Sequence, residues 1–554
     1  MNLEELADRY WLTYSEYNPT VATVRGEHEF DDQLRHFDDE WLGDMESEFR
    51  SITDDALALD AGNMTTQERI TLDLLIHETR VWATEISQRY LVAPIDPYLG
   101  PHTRLLSDTR QNTVTLMEHA DALLGRYSKV PGFLEDALRL HKMNAARGMT
   151  PALASVERVL GQLDGYLQSE LAEDPFLQLE IPGGGQGWKE RATGLVTGEI
   201  RPAFERYRDG LASEMIPTAR PDDRCGLTWI DGGEEIYATL IHKYTQLDSR
   251  PQEIHDIGLH WATEINAAEW VAIGETALGA KSMEEVFDRL HNDPGMRFGS
   301  EEEMLEQARD AVARAWEAVD DWFGARPQTP CQVVPVPKSQ APAMPPAYYM
   351  QPPIDGSRPG TYFLNTYKPE ERDRFEYESI HFHEAVPGHH FDRSLAAELT
   401  SIPTFRRYAQ VYAHTEGWGL YSERLADEMG LYSSEIDRLG MISADAWRAG
   451  RLVTDTGIHA LGWSRQQAID FLTKWTPIGQ LTIAQEVDRY IGMPGQALSY
   501  KMGQLEIMRL RRNAEAELGD DFEIKGFHDS LLTHGAMPLP TLADTVADWM
   551  STVS

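Results

Sequence analysis

Ten residues, His381-Phe382-His383-Glu384-Ala385-Val386-Pro387-Gly388-His389-His390, hold four histidines and one carboxylate. Two neutral imidazoles can hold a zinc ion, and a neighbouring carboxylate can take a proton from the water that zinc activates. The usual helical arrangement is His-Glu-x-x-His, which sets both imidazoles on one face at i and i+4. Here the residue at i+4 from His383 is Pro387, and the next histidines are His389 and His390 at i+6 and i+7. On an unbroken helix i+7 lies roughly 10.5 Å further along the axis, too far for two ligands that each sit about 2.1 Å from one zinc. Regular helix must therefore fail inside the stretch if both ends bind metal. Pro387 removes a backbone donor and clashes with the carbonyl of His383. Gly388 follows at no steric cost. A widened or looped-out turn would absorb two residues and return His389 to the place of an ordinary i+4 histidine.

A zinc site with two histidines commonly takes its third ligand from a carboxylate on another helix. Glu416, in His414-Thr415-Glu416-Gly417-Trp418-Gly419-Leu420-Tyr421-Ser422-Glu423, has that setting. Glu423 shares its face and could orient a liganding imidazole through a hydrogen bond. A solvated acidic face is the plain alternative, but the two glycines beside Glu416 point to a closely packed, inward-facing helix. Further on, Asp455 and His459 stand at i and i+4 and could pair. With a metal nearby, His459 could instead donate to the oxyanion of a tetrahedral intermediate. Tyr500, in Pro494-Gly495-Gln496-Ala497-Leu498-Ser499-Tyr500-Lys501-Met502-Gly503, is a buriable donor beside a mobile cation. Arg509, Arg511 and Arg512 follow and read as ion-paired, with a substrate carboxylate as the alternative partner of one of them.

The elements that must position these groups read as helices. Apolar residues recur at three- and four-residue spacing over 38–52 and 66–91, with a proline-rich connector at 92–101. Helical patterning continues over 105–172, with Pro131 and Pro151 near helix starts. It resumes at 188–214, 234–247, from Pro251, and over 301–324. Ile181-Pro182-Gly183-Gly184-Gly185-Gln186-Gly187-Trp188 is a turn, since no Gly-Lys-Ser/Thr follows to make a phosphate loop. Only 325–370 is β-like: Val333-Val334-Pro335-Val336-Pro337, Ala347-Tyr348-Tyr349-Met350, and one strand over 360–367. Prolines confine such runs to edges. An open edge strand could pair with an extended peptide, while a small structural sheet capping helices is the bland alternative.

The bulk numbers bound the answer. The chain has 554 residues, 42% apolar and 25% charged, with a net charge of −40. That charge argues against nucleic acid and anionic membrane as partners. No run of eighteen apolar residues reads as a membrane span. Two cysteines make no disulfide framework and suit a reducing compartment. The acidic, amphipathic start has no signal-peptide pattern, so the expected location is the cytoplasm.

Taken together, His383 to His390, Glu416 to Glu423, Asp455 to His459 and Pro494 to Gly503 resemble the bacterial family catalogued as domain of unknown function 885. The likeness covers most of the chain, with its specific motifs in the last third and in the expected order. That family is similar to gluzincin-type metallopeptidases of the zincin superfamily, above all the mostly helical ones with a deep channel. The resemblance implies a mainly α, large helical zincin-like fold, with a small β-sheet before the active-site helix. A helical region, 1–220, would cover the channel, and 221–554 would be catalytic. It implies Zn2+ held by His383, His389 and Glu416, with Glu384 as general base and His459 and Tyr500 steadying the oxyanion. The lengthened histidine motif leaves His389 and His390 both open as the second histidine ligand.

The expected function is zinc-dependent hydrolysis of peptides rather than folded proteins, with the 360–367 strand holding the substrate backbone. The alternatives are a metallohydrolase of non-peptide amides and a helical peptide-binding protein whose metal site is degenerate.

Overall fold

Apolar residues spaced for helix become helix along most of this chain. The computed structural model describes residues 1–112, 114–338, 341, 344–352 and 358–553. Among them the protein is mainly α, with one three-stranded sheet. The stretches 38–52 and 66–91 fold as Asp39–Leu57 and Thr66–Gln88. Each starts where a side chain takes up an orphan amide: Asp38 accepts from the Trp41 N–H, and Thr65 and Glu68 form a capping box. The N-terminal helices close on an apolar core running from Leu6 to Met215, sealed by Phe405, Ala409, Val411 and Ala536 of the later chain.

Pro131 does not start a helix but lies inside Met117–Ala146. The stripe Leu123, Tyr127, Val130, Leu134 and Ala137 on that helix is wholly buried. Each large apolar side chain buried there contributes about 1.5–3 kcal/mol, so the stripe outweighs the roughly 3 kcal/mol cost of an internal proline.

The sheet has strands β1 (Cys331–Pro335), β2 (Ala347–Met350) and β3 (Gly360–Leu364). Their order is β1-β3-β2, with β3 parallel to β1 and antiparallel to β2. The stretch expected to hold a substrate backbone is therefore the central strand. It ends at Leu364, and both its edges are already paired, so it has no free ladder to offer a peptide. Proline-bearing β1 takes an edge, as its sequence requires.

Seven helices form the candidate site and its surroundings: α1 (Gly233–Thr245), α2 (Tyr377–Glu384), α3 (His389–Glu398), α4 (Tyr412–Glu428), α5 (Glu435–His459), α6 (Gln480–Gly492) and α7 (Ser499–Leu518). Helices α4 and α7 meet backbone to backbone. A Cβ on Gly417 would lie 2.5 Å from Cα of Gly503, and one on Gly503 would lie 1.9 Å from the Ala413 carbonyl oxygen. Only glycine at both positions permits this approach, which sets the start of α7, with Tyr500, against the Glu416 turn of α4.

Two of the four clustered histidines tie the site helices to the sheet. His381 Nδ1 is hydrogen-bonded at 2.7 Å to the Tyr362 hydroxyl of β3. His390 donates from Nε2 to the Thr329 carbonyl and accepts at Nδ1 from the Tyr349 hydroxyl of β2, both at 3.1 Å. Burial pushes both imidazoles down, His381 to about 3 and His390 to about 4, so they act as neutral clamps.

Candidate metal centre

The histidine stretch is broken as its proline and glycine require, but by a clean stop and not by a bulge in one helix. Helix α2 ends at Glu384, Ala385 leaves helical conformation (φ −105°, ψ −103°), the Val386–Pro387 bond is cis, and α3 begins at His389. Gly388 passes directly under the end of α2: a Cβ there would meet the His383 carbonyl oxygen at 1.9 Å. The Trp418 indole N–H of α4 holds the Pro387 carbonyl at 2.9 Å. The chain thus doubles back within four residues, which a continuous helix could not do.

This reversal brings His383, His389 and Glu416 together. Nε2 of His383 lies 3.6 Å, and Nε2 of His389 3.4 Å, from Oε2 of Glu416. Charge-assisted hydrogen bonds would be about 2.7–2.9 Å. Ligands about 2.1 Å from a tetrahedral zinc stand about 3.4 Å apart, and the observed spacing matches that. The two imidazoles are nearly perpendicular, at 82° with centroids 4.6 Å apart, so their in-plane lone pairs can converge. His389 and Glu416 keep 11% and 18% of their side-chain surface exposed, enough to leave one open face.

Glu423 decides which nitrogen of His383 is available. Its carboxylate accepts from Nδ1 at 2.7 Å and from the Ser379 hydroxyl with its other oxygen, leaving Nε2 toward Glu416. Gly419 makes room for the ring, since a Cβ there would sit 2.7 Å from Cε1 of His383. Burial pulls the His383 pKa down, but Glu416 and Glu423 outweigh it and hold it at about 9. Burial likewise pushes Glu416 up, and the two histidines overcome this to hold it below the usual carboxylate range. The cluster is therefore built to surround positive charge.

Sequence inspection missed a second cluster, His28, Asp31 and His119, of which only the i, i+3 pair was visible. Its imidazoles are stacked face to face, 3.6 Å apart at 14°, so their lone pairs run parallel and do not converge on one ion. His28 Nδ1 is already hydrogen-bonded to Asp31 at 2.7 Å.

The remaining expected site residues divide. Glu384 ends α2 beside His383, half-buried, and its carboxylate makes no hydrogen bond or ion pair among the described residues. The Tyr500 ring lies 6.4 Å from the His383 ring, nearly parallel to it. Burial, and then the Glu416 carboxylate, raises the Tyr500 hydroxyl, so it stays protonated. The Arg451 guanidinium lies over the Tyr500 ring at 4.7 Å, a neighbour whose only sequence signal was its place one turn before Asp455.

His390 and His459 are not part of this grouping. His390 is committed to the sheet. His459 is buried, donates from Nε2 to the Tyr490 carbonyl at 2.9 Å and accepts the Leu227 N–H at Nδ1 at 3.2 Å. With both nitrogens taken by backbone, it has no donor left for an oxyanion. Nor does it pair with Asp455, which accepts from the Tyr237 hydroxyl and the Gly495 N–H. Lys501, expected to be mobile, is fully buried and ion-paired to Asp445 at 2.8 Å. Arg509 and Arg511 are ion-paired as expected, to Glu506 and Glu428.

Fold and site together define a large, mainly α-helical protein organised around a two-histidine, one-glutamate cluster. The chain belongs to the family described as "Bacterial protein of unknown function (DUF885)", whose family model matches residues 19–546. No curated protein matches it. Solved structures share its fold, two of them over nearly the whole chain. The "putative lipoprotein" from Colwellia psychrerythraea is 24% identical, with a TM-score of 0.91 and 99% of each chain covered. The "putative lipoprotein of unknown function" from Shewanella oneidensis is 17% identical, with a TM-score of 0.78, 98% of this chain and 99% of that chain covered. Among the described residues no helix is long and apolar enough to cross a membrane.

Proposed function

We propose that this protein is a zinc-dependent peptidase that hydrolyses peptides. The observation that carries this reading is the triangle of His383, His389 and Glu416, spaced for a tetrahedral ion, with Glu384 beside it and unpartnered among the described residues. Zinc, when held there, supplies a Lewis acid that polarises a carbonyl and makes water more acidic. Glu384 takes the proton of the attacking water and delivers it to the leaving amine. Tyr500, kept protonated, donates a hydrogen bond to the oxyanion that forms from the scissile carbonyl. His383 and His389 hold the ion, and Glu423 holds His383. We read the helices around the cluster as a zincin-like scaffold that leaves a substrate channel beside α4.

The test is metal analysis of the purified protein, followed by peptide-library cleavage with the wild type and Glu384→Gln. One zinc per chain in both proteins is expected. Cleavage should fall at least about a hundredfold in the variant. Undiminished cleavage by Glu384→Gln would overturn the mechanism.

A further inference from the structure

In a chain of net charge −40, four cationic side chains converge on one cavity. The cavity, about 100 Å³, lies where the N-terminal helices meet α1, the end of α6 and the Met493-Pro494 turn that follows it. Its charged lining is Arg35, Arg104, Arg220, Lys243 and Glu85. Lys243 and Glu85 neutralise each other at 2.6 Å. The three guanidiniums form no ion pair with a carboxylate among the described residues, and Glu85 acts on Arg35 only at longer range. Arg35 gives its N–H groups to neutral acceptors, the Tyr17 and Val92 carbonyls and the Asn18 side chain. Arg220 is 7% exposed and gives only Nη2, to the Cys225 carbonyl, leaving Nε and Nη1 buried without a partner among those residues. The Arg104 side chain makes no hydrogen bond to any of them. Asp96 and Asp108 act on Arg104 only at longer range. Burial pushes Asp96 up to about 7, which limits what it neutralises.

Arg220 is buried with two donors unpaired, which is costly, and an anion placed between it and the half-buried Arg104 and Arg35 would relieve that cost. One packed aromatic pair separates the cavity from the helix that carries Glu416. Tyr244 of its wall packs edge-on against Tyr412 of α4, with centroids 5.1 Å apart, and Tyr412 is one helical turn before Glu416. On its other side the Met493-Pro494 turn leads through Gly495 into Gln496 and Tyr500. An extended chain advances about 3.3 Å per residue, so a few residues of a peptide bound at the cluster would span that separation. The anion native to a peptide is a carboxylate.

We propose that this cavity is a subsite for a carboxylate of the bound peptide, either its C-terminus or an acidic side chain, gripped by Arg104 with Arg220 and Arg35 behind it. This rests on the peptidase reading for its ligand, but its test reads binding and not cleavage. Zinc-loaded Glu384→Gln protein is titrated calorimetrically with four N-acetylated peptides of one neutral sequence. One has a free C-terminus, one is amidated, and two are amidated with a single glutamate or glutamine. Glutarate and inorganic phosphate are titrated alone.

At least one of the two carboxylate-bearing peptides should bind at least about tenfold more tightly than its neutral counterpart. Which of the two does so distinguishes the terminus from the side chain. Arg104→Gln should abolish the preference and Arg104→Lys retain part of it, with unchanged melting temperatures, because Arg104 has no partner to orphan. Equal binding of neutral and acidic peptides, persistence of the preference in Arg104→Gln, or Arg104-dependent binding of phosphate without carboxylate would each overturn the proposal. If the wild type cleaves no peptide while Arg104-dependent carboxylate binding remains, the peptidase reading falls and the carboxylate site stands.

Discussion

Glu423 of α4 accepts a 2.7 Å hydrogen bond from Nδ1 of His383 on α2. That contact turns the other nitrogen of His383 toward Glu416 and His389. Replacing Glu423 with alanine leaves the ring free to rotate and removes the charge that raises its basicity. Zinc affinity should fall about 10–100-fold, measured by competition with a chelator of known affinity. Unchanged affinity would mean that Glu423 does not orient the ligand.

His389 and His390 are adjacent in sequence and face different partners. His389→Ala should lose the metal while the helices remain, seen as absent zinc by mass spectrometry and an unaltered far-ultraviolet spectrum. His390→Ala should keep one zinc per chain but lose the Tyr349 and Thr329 contacts, at a cost of about 1–3 kcal/mol in urea unfolding. The opposite pattern would reassign the ligand.

His459 is a structural residue. His459→Ala orphans the buried Leu227 N–H and Tyr490 carbonyl, each worth about 1–3 kcal/mol. Stability should drop by a few kcal/mol in denaturant melts. The turnover of the folded fraction should stay close to wild type. A large loss of turnover at full stability would restore a chemical role for this imidazole.

Asp455 makes stability depend on pH. Burial pushes its carboxyl up to about 7, against the opposing hydrogen bonds from Tyr237 and Gly495. The folded pKa lies above the unfolded value, so the protonated form's contribution is complete below about pH 4 and is lost as pH rises through 7. At most it is about 4 kcal/mol. Asp455→Asn should therefore flatten the fall in stability between pH 4 and 7, read as the urea midpoint at each pH. An unchanged slope in the variant would show that this carboxyl does not drive it.

Much of this protein could be read from its residues. The helical stretches were legible because i, i+3, i+4 burial is a local property. The Pro387-Gly388 pair announced that regular helix fails between His383 and His389, though as a widened turn and not as the outright stop after Glu384 that the fold makes. The glycines flanking Glu416 announced close packing, and Gly417 does meet Gly503. Pro131 misled because the buried stripe of its helix outweighs the local cost of proline, and that stripe is buried only by neighbours distant in sequence.

What the sequence alone determined is the set of side chains able to do chemistry and the place where the backbone has to break. Tertiary structure alone decided their grouping. The reversal at 385–388 selects His389 for the cluster and sends His390 to the sheet. Strand order puts β3 in the middle, where it has no edge to offer. Two backbone groups, from Leu227 and Tyr490, claim both nitrogens of His459. Each of these outcomes is a distance through space between residues far apart along the chain, and periodicity encodes only which way a side chain faces, not what it will find there.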